Sequence, residues 1–254
     1  MADFLGDPNF PDKAMKTPSR ALKVSYFQDL YRLYSRLEFS FIEDRPIAIA
    51  GLERRLQNAF GTTGGFGIFD DGPSGGLFHR SLLWQRGEDE PSMTPIVFPV
   101  ERNVKVPSWS WMAYKGGIDY GDPPFKTAQW EMDEIRPPWT RGNENMAETT
   151  PHNPEMALIA IVRDFTVAKR KADEVRLIYD TERTASDGQR PQCVIVAREK
   201  GDIAEDERRY YVLLVMATGS ITARGKTVYK RAGAGYLLGK YIALDGPGTS
   251  AMIY

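Results

Sequence analysis

The sequence predicts an α+β protein, mainly an antiparallel β sandwich or partly open barrel, with two N-terminal helices packed on it. Three observations predict it. Helical periodicity is confined to two windows before residue 61. From Leu77 onward, short runs rich in Val, Ile and Tyr alternate with charged or glycine-containing turns. No helical stretch separates those runs, so the crossovers that a parallel sheet needs are not evident.

Residues 1–20, rich in Pro, Asp and Lys, are expected to form a flexible arm. A single domain is expected over 21–254, with sub-lobes at 21–120 and 155–254. Val24, Phe27, Leu30, Tyr31 and Tyr34 recur at helical spacing and predict a helix near 24–39. A second is predicted over 46–60, with Asp44 as its cap, Pro46 in its first turn and Gly61 at its end. Ile47, Leu52, Leu56 and Phe60 mark its apolar stripe. Between Gly61 and Gly76 stand seven glycines, which predict a long loop able to approach backbone or ligand closely.

Leu77–Trp84, Ile96–Val100 and Pro107–Tyr114 read as the first strands. A Pro-rich, acidic connection over about 121–155 follows. The runs "MALIAIVRDFTVA", "EVRLIYD", "QCVIVARE" and "YYVLLVMAT", then "TVYKRAGAGYLLGKYIAL" and "AMIY", supply the rest. In "KVPSWSWMAYKGG", strand alternation sends Trp109, Trp111 and Ala113 to one face and Ser108, Ser110 and Met112 to the other. The paired indoles either fill a core, the commoner use of large aromatics, or wall a pocket.

Composition excludes several classes of function. The formal net charge of -1 provides no global field for nucleic acid or anionic lipid. No apolar run approaches the roughly 20 residues that span a bilayer, and no secretory h-region is evident. Cys193 is the only cysteine, which points to a reducing, cytoplasmic setting and, within "PQCVIVARE", to a buried structural thiol.

Gly225-Lys226-Thr227 lacks the earlier glycine of a phosphate loop, where Ser220 stands. The Gly233–Gly239 pattern has too little sequence after it for a dinucleotide unit, and reads as glycines in a curved strand. His79, His152 and Cys193 have no metal-ligand spacing, so no metal or other cofactor is expected. Asp70 and Asp71 sit beside Phe66 and Phe69. An acid near aromatic surface can act as a general acid, although Asp before Gly72-Pro73 is also ordinary turn chemistry. Glu205-Asp206-Glu207 reads as a solvated hairpin tip.

Several segments carry a resemblance. "LYSRLEFSFIEDRPIAIAGLERRL", "GLFHRSLLWQR" and "VPSWSWMAYKGGIDY" occur in the order seen downstream of the HET domain in fungal heterokaryon-incompatibility proteins. The chain resembles that region over about 26–120, and loosely over 205–240. The HET domain's own signatures are not in this sequence, so cell-death signalling is not implied. The resemblance extends to truncated relatives in fungal natural-product pathways, including cofactor-free cyclases of the Diels–Alderase type.

It implies an apolar polyene or terpenoid substrate held at reacting distance in an aromatic pocket. One or two hydrogen-bond donors to a polarised carbonyl would assist. On that reading His79, Tyr114 and Asp70 are the catalytic candidates. Trp84, Trp109, Trp111, Tyr120, Phe66 and Phe69 line the substrate, in a cavity expected between the glycine loop and the SWSW strand. The alternative is a non-catalytic module that binds a ligand or a protein.

Overall fold

The computed structural model describes residues 19–72, 75–102, 104–140, 156–167, 171, 173–182, 190–222 and 225–254. Of the arm expected at 1–20, residues 1–18 lie outside the described residues, as does His152, while Ser19 and Arg20 belong to the first helix and its cap. The two expected helices are present. Helix α1 spans Arg20–Ser35, with Ser19 Oγ accepting from the Leu22 amide, and α2 spans Arg45–Phe60. The first starts earlier than its apolar pattern because Ser19 supplies the cap. Gly61, at φ +64, ends the second.

The glycine-rich stretch is not irregular. Strands β1 (Thr63–Gly65) and β2 (Ile68–Asp70) form a hairpin around Phe66 and Gly67. Both turn residues have positive φ, 54° and 84°, as a tight two-residue hairpin turn requires. The predicted strand at Leu77–Trp84 is instead α3 (Leu77–Leu82) followed by β3 (Trp84–Arg86). All six residues of α3 are buried, so a helix enclosed on every side has no polar face to betray its period. The predicted strand at Ile96–Val100 is also displaced: β4 is Thr94–Pro95, paired with β5 (Tyr114–Lys115). Strand β6 (Ile118–Tyr120) pairs with β3. The acidic connection contributes β7 (Ala128–Trp130) and β8 (Ile135–Arg136).

The C-terminal half is β-rich as expected. Strands β9 (Leu158–Arg163), β10 (Val175–Tyr179), β11 (Gln192–Glu199), β12 (Arg209–Ile221), β13 (Thr227–Leu238) and β14 (Thr249–Ile253) form one sheet with β7 and β8. Five strands, β11-β12-β13-β14-β9, close on themselves through β11–β9 pairs at Cys193↔Arg163 and Val194↔Val162. The barrel is therefore closed, which removes the edges an open sheet would present. One pair, β13–β14, is parallel, because residues 239–248 carry the chain back to the start of β13. Glu205–Glu207 forms an exposed 3-10 turn between β11 and β12. Cys193 is buried, and burial pushes its thiol up to about 12.

Alternate residues of the barrel strands serve two clusters. Val194, Val196, Leu213 and Val215 join a core that draws on all five barrel strands. Cys193, Ile195, Val212 and Leu214 face a second cluster with Val175 and Leu237. A third core joins α1, α2 and α3 to the small strands, so the N-terminal helices pack on this layer.

The SWSW segment is the joint between layers, and not the expected strand. Trp111–Ala113 is a 3-10 turn capped by Ser110 Oγ, which accepts from the Met112 amide. The turn breaks the period of two. Trp109, fully buried, enters the barrel core; Trp111, 1% exposed, enters the helical core. Ser110 Oγ donates to the Phe66 carbonyl at 2.8 Å. Ser108 Oγ accepts from the Arg231 amide at 2.9 Å and donates to the Tyr254 carbonyl.

Arg231 is the second tie. The β12–β13 register slips between Leu214↔Gly233 and Val215↔Arg231, leaving Ala232 as a bulge. Strand β10 stops at Tyr179↔Gly233, and the next amide, Asp180 N, donates to Ala232 O. A Cβ at Gly233 would stand 2.3 Å from the Ile178 carbonyl, so only glycine allows this approach. The bulge re-aims Arg231 beside Asp180. Its Nε donates to Asp180 Oδ2 at 2.9 Å, Nη1 to Leu82 O at 2.7 Å, and Nη2 to Trp84 O.

Two predictions follow from these ties. Arg231→Met leaves the Asp180 carboxylate buried without its cation and should cost roughly 3–5 kcal/mol in urea unfolding. The Arg231→Met, Asp180→Leu double variant should recover much of that loss; a single-variant cost under about 1 kcal/mol would refute the role. Trp109→Ala and Trp111→Ala should each cost roughly 3–5 kcal/mol. Amide exchange should rise mainly in barrel strands for the first and in α1 and α2 for the second.

Candidate functional site

The sequence-expected site residues fall into separate places. Trp109 and Phe66 meet edge-to-face in the barrel core, at 6.1 Å and 81°. Trp111, Phe69 and Tyr120 belong to the helical core or pack against it. Phe69 lies 5.3 Å from Phe27 and stacks on Tyr31 at 5.9 Å. Tyr120, half-buried, meets Phe27 edge-to-face at 5.7 Å, and its hydroxyl is buried without a hydrogen-bond partner. Trp84 is fully buried beneath the Arg231 guanidinium, 3.4 Å from ring to cation, and its Nε1 donates to Trp109 O at 2.9 Å. Tyr114, mostly buried, lies 5.8 Å from Trp84, and burial raises its hydroxyl pKa.

The glycine loop and the SWSW segment are in direct contact where a cavity was expected. A Cβ on Gly67 would come within 2.3 Å of Trp111 Nε1, so the hairpin turn is seated against the indole. The Ser110–Phe66 hydrogen bond fastens the same contact. Close packing of large rings on both sides of this seam fills the space.

Asp70 and His79 lie on another unit, in which β2 packs against α3. Asp70 closes β2, is half-buried, and accepts from Trp139 Nε1 at 2.8 Å and from the Gly72 amide at 2.9 Å. Asp71 accepts from the Leu77 amide at 2.9 Å and fixes the start of α3. Burial raises its carboxyl pKa. His79 follows within α3, only 1% exposed; neither ring nitrogen makes a hydrogen bond of good geometry, and the Glu131 backbone is the polar group that acts on the ring.

The imidazole stacks on Trp130 at 5.5 Å and 23°, and meets Phe78 edge-to-face at 5.1 Å. Burial lowers its pKa to about 4, with a smaller opposing effect from the Glu131 backbone. At neutral pH it is an uncharged ring with one N–H donor and one acceptor. Half-buried Trp130 covers it. Arg80 lies between Trp130 and the exposed Phe125, at 4.9 and 4.3 Å, and binds Asp122 and the Pro123 carbonyl. This unit holds half-buried Trp130 over a polar ring that lacks a well-formed hydrogen bond.

Sequence reasoning missed Trp130 and Trp139, which lie in the stretch read as a connection. It also missed Glu53, Asp180 and Arg231. Glu53 carried a legible signal: it stands on the same stripe of α2 as the buried Ile49, Leu56 and Phe60, where a charge is anomalous. Among the described residues, no group of three or more His, Cys, Asp and Glu is arranged to hold a metal, and no helix is long and apolar enough to cross a membrane.

The buried imidazole generates a prediction with a definite sign. The unfolded chain takes up a proton below about 6.5, whereas folded His79 resists it down to about 4. Stability linked to this group should therefore be lost as pH falls through that window, and be level below it. His79→Phe should abolish that part of the acid sensitivity and, by removing a buried polar group that lacks a well-formed hydrogen bond, stabilise the fold by roughly 1 kcal/mol at neutral pH. Urea midpoints across the pH range check both.

Comparison of the chain with protein-family models, with curated proteins and with solved structures returns no match in any of the three.

Proposed function

We propose that this protein binds an apolar, unsaturated small molecule at the Trp130–His79 face of α3 and promotes its cyclisation without a cofactor. One observation carries the reading: a buried, uncharged imidazole with no well-formed hydrogen bond at either nitrogen, on which only the Glu131 backbone acts, beneath a half-exposed indole. A buried polar group without a well-formed hydrogen bond costs stability, and its retention points to use. The resemblance to the region downstream of HET domains supports the reaction class.

His79 has the chemistry for the role. Its neutral N–H can hydrogen-bond a substrate carbonyl and draw electron density from a conjugated diene or dienophile. Because the ring is not an acid at neutral pH, it polarises without transferring a proton. Trp130 would move off the imidazole and lie along the substrate's apolar face, with Phe125 as the outer wall. Trp139 is tied to Asp70 on the adjoining strand.

The test uses a linear polyene bearing a conjugated aldehyde as probe, with tryptophan fluorescence for binding and chromatography for the cyclised product. His79→Phe should stay folded, and its rate should fall roughly a hundredfold or more, the usual cost of losing one preorganised donor. Trp130→Ala should weaken binding. Binding without product in the wild type would leave the site and remove the reaction. Unchanged binding and turnover in both variants would remove the site.

A further inference from the structure

Glu53 is a buried carboxyl with no part in the His79 site. It projects from α2, is 8% exposed, and its Oε1 accepts from the Gly67 amide at 2.5 Å. The groups that act on it are few. From the hairpin come the Phe66 and Gly67 amides, and from α1 comes Tyr31. Tyr120, on β6, acts on Tyr31 in turn. Arg45, on α2 itself, sits over the Trp111 ring at 5.4 Å but directs its N–H groups to the Tyr114, Ser35 and Gly116 carbonyls. No cation figures among the groups acting on the carboxyl.

The turn it holds is the joint of the molecule. Phe66 departs from it into the barrel core, Trp111 covers Gly67, and Ser110 binds the Phe66 carbonyl. Tyr31 Oη and Trp111 Nε1 are both buried here without partners of hydrogen-bond geometry. The seat thus offers a full negative charge two amides and a phenol but no cation. Ionisation strengthens the contacts with the Gly67 and Phe66 amides and with Tyr31, but desolvation acts against it and is the larger effect.

We propose that Glu53 is a proton-dependent latch, which keeps the β1–β2 hairpin seated while the carboxyl is protonated and releases it as the carboxyl ionises. Burial pushes the carboxyl from 4.5 up to about 7, so the seated form holds its proton where a solvated carboxyl has lost it. The sign follows. The lifted hairpin binds fewer protons between those values, so opening becomes easier as pH rises from about 4.5 to about 7, and levels off above. Release would loosen the contact between Trp111 and Gly67 and, with it, the joint between the helical and barrel layers.

The experiment follows amide hydrogen exchange at Phe66 and Gly67 in the full chain, corrected for the intrinsic rate, alongside the carbon-13 titration of the Glu53 carboxyl. Opening should increase roughly tenfold per pH unit across the window and level off at the pH where the carboxyl titrates. Glu53→Gln keeps the acceptor but cannot ionise, and its profile should be flat. A wild-type profile without the rise, a plateau away from the carboxyl titration, or the same rise in Glu53→Gln overturns the latch. Should Glu53→Gln not fold, agreement or disagreement of the two wild-type curves decides alone.

Discussion

The architecture depends on one buried guanidinium. Arg231 leaves a barrel strand at a bulge, lies flat on Trp84, and divides its donors between the Asp180 carboxylate and the carbonyls of Leu82 and Trp84. Those two carbonyls belong to the end of α3 and the start of β3, so a single side chain holds the helical layer to the barrel. A planar, forked cation suits this geometry where an ammonium would not. Burial of both charges is expensive, and completeness of the hydrogen bonding is what makes the pair tolerable.

The helical layer repeats the device with backbone carbonyls in place of an acid in direct contact. Arg45 is almost fully buried, stacks near Trp111, and donates to the carbonyls of Ser35, Tyr114 and Gly116. These carbonyls come from the end of α1 and from the β5 region, and Arg45 brings their backbones together. Desolvation lowers its pKa to about 10, still leaving it charged at neutral pH. Between the two arginines runs the SWSW segment, whose serines bind backbone on both sides and whose tryptophans fill one core each.

Against this framework, His79 and Glu53 are exceptions of the same kind. Each is a buried titratable group whose neutral form is favoured by burial, and neither has a charged partner to compensate it. Arg231 and Asp180 compensate each other; these two do not. Buried polar groups without full compensation lower stability, and this fold keeps two of them, one beneath half-exposed Trp130 and one against the turn at Phe66 and Gly67.

Helices α1 and α2, the β-rich C-terminal half and the buried thiol can be read from the chain's local pattern, because each rests on local spacing. Val24 to Tyr34 repeat at helical period, and "YYVLLVMAT" and "QCVIVARE" are apolar runs of strand length. Of the proposed site, Asp70 and His79 were legible as chemistry, but their neighbours Trp130 and Trp139 were not. The rest depends on contacts made in three dimensions. A helix buried on all sides, as α3 is, shows no amphipathic period, and the turn at Ser110 sent Trp109 and Trp111 apart although their spacing put them on one face. Barrel closure, the bulge that turns Arg231 toward Asp180, and the seating of the hairpin on Glu53 join residues far apart in sequence. Local pattern carries no term for such contacts, and their energies exist only once the chain has brought the partners together.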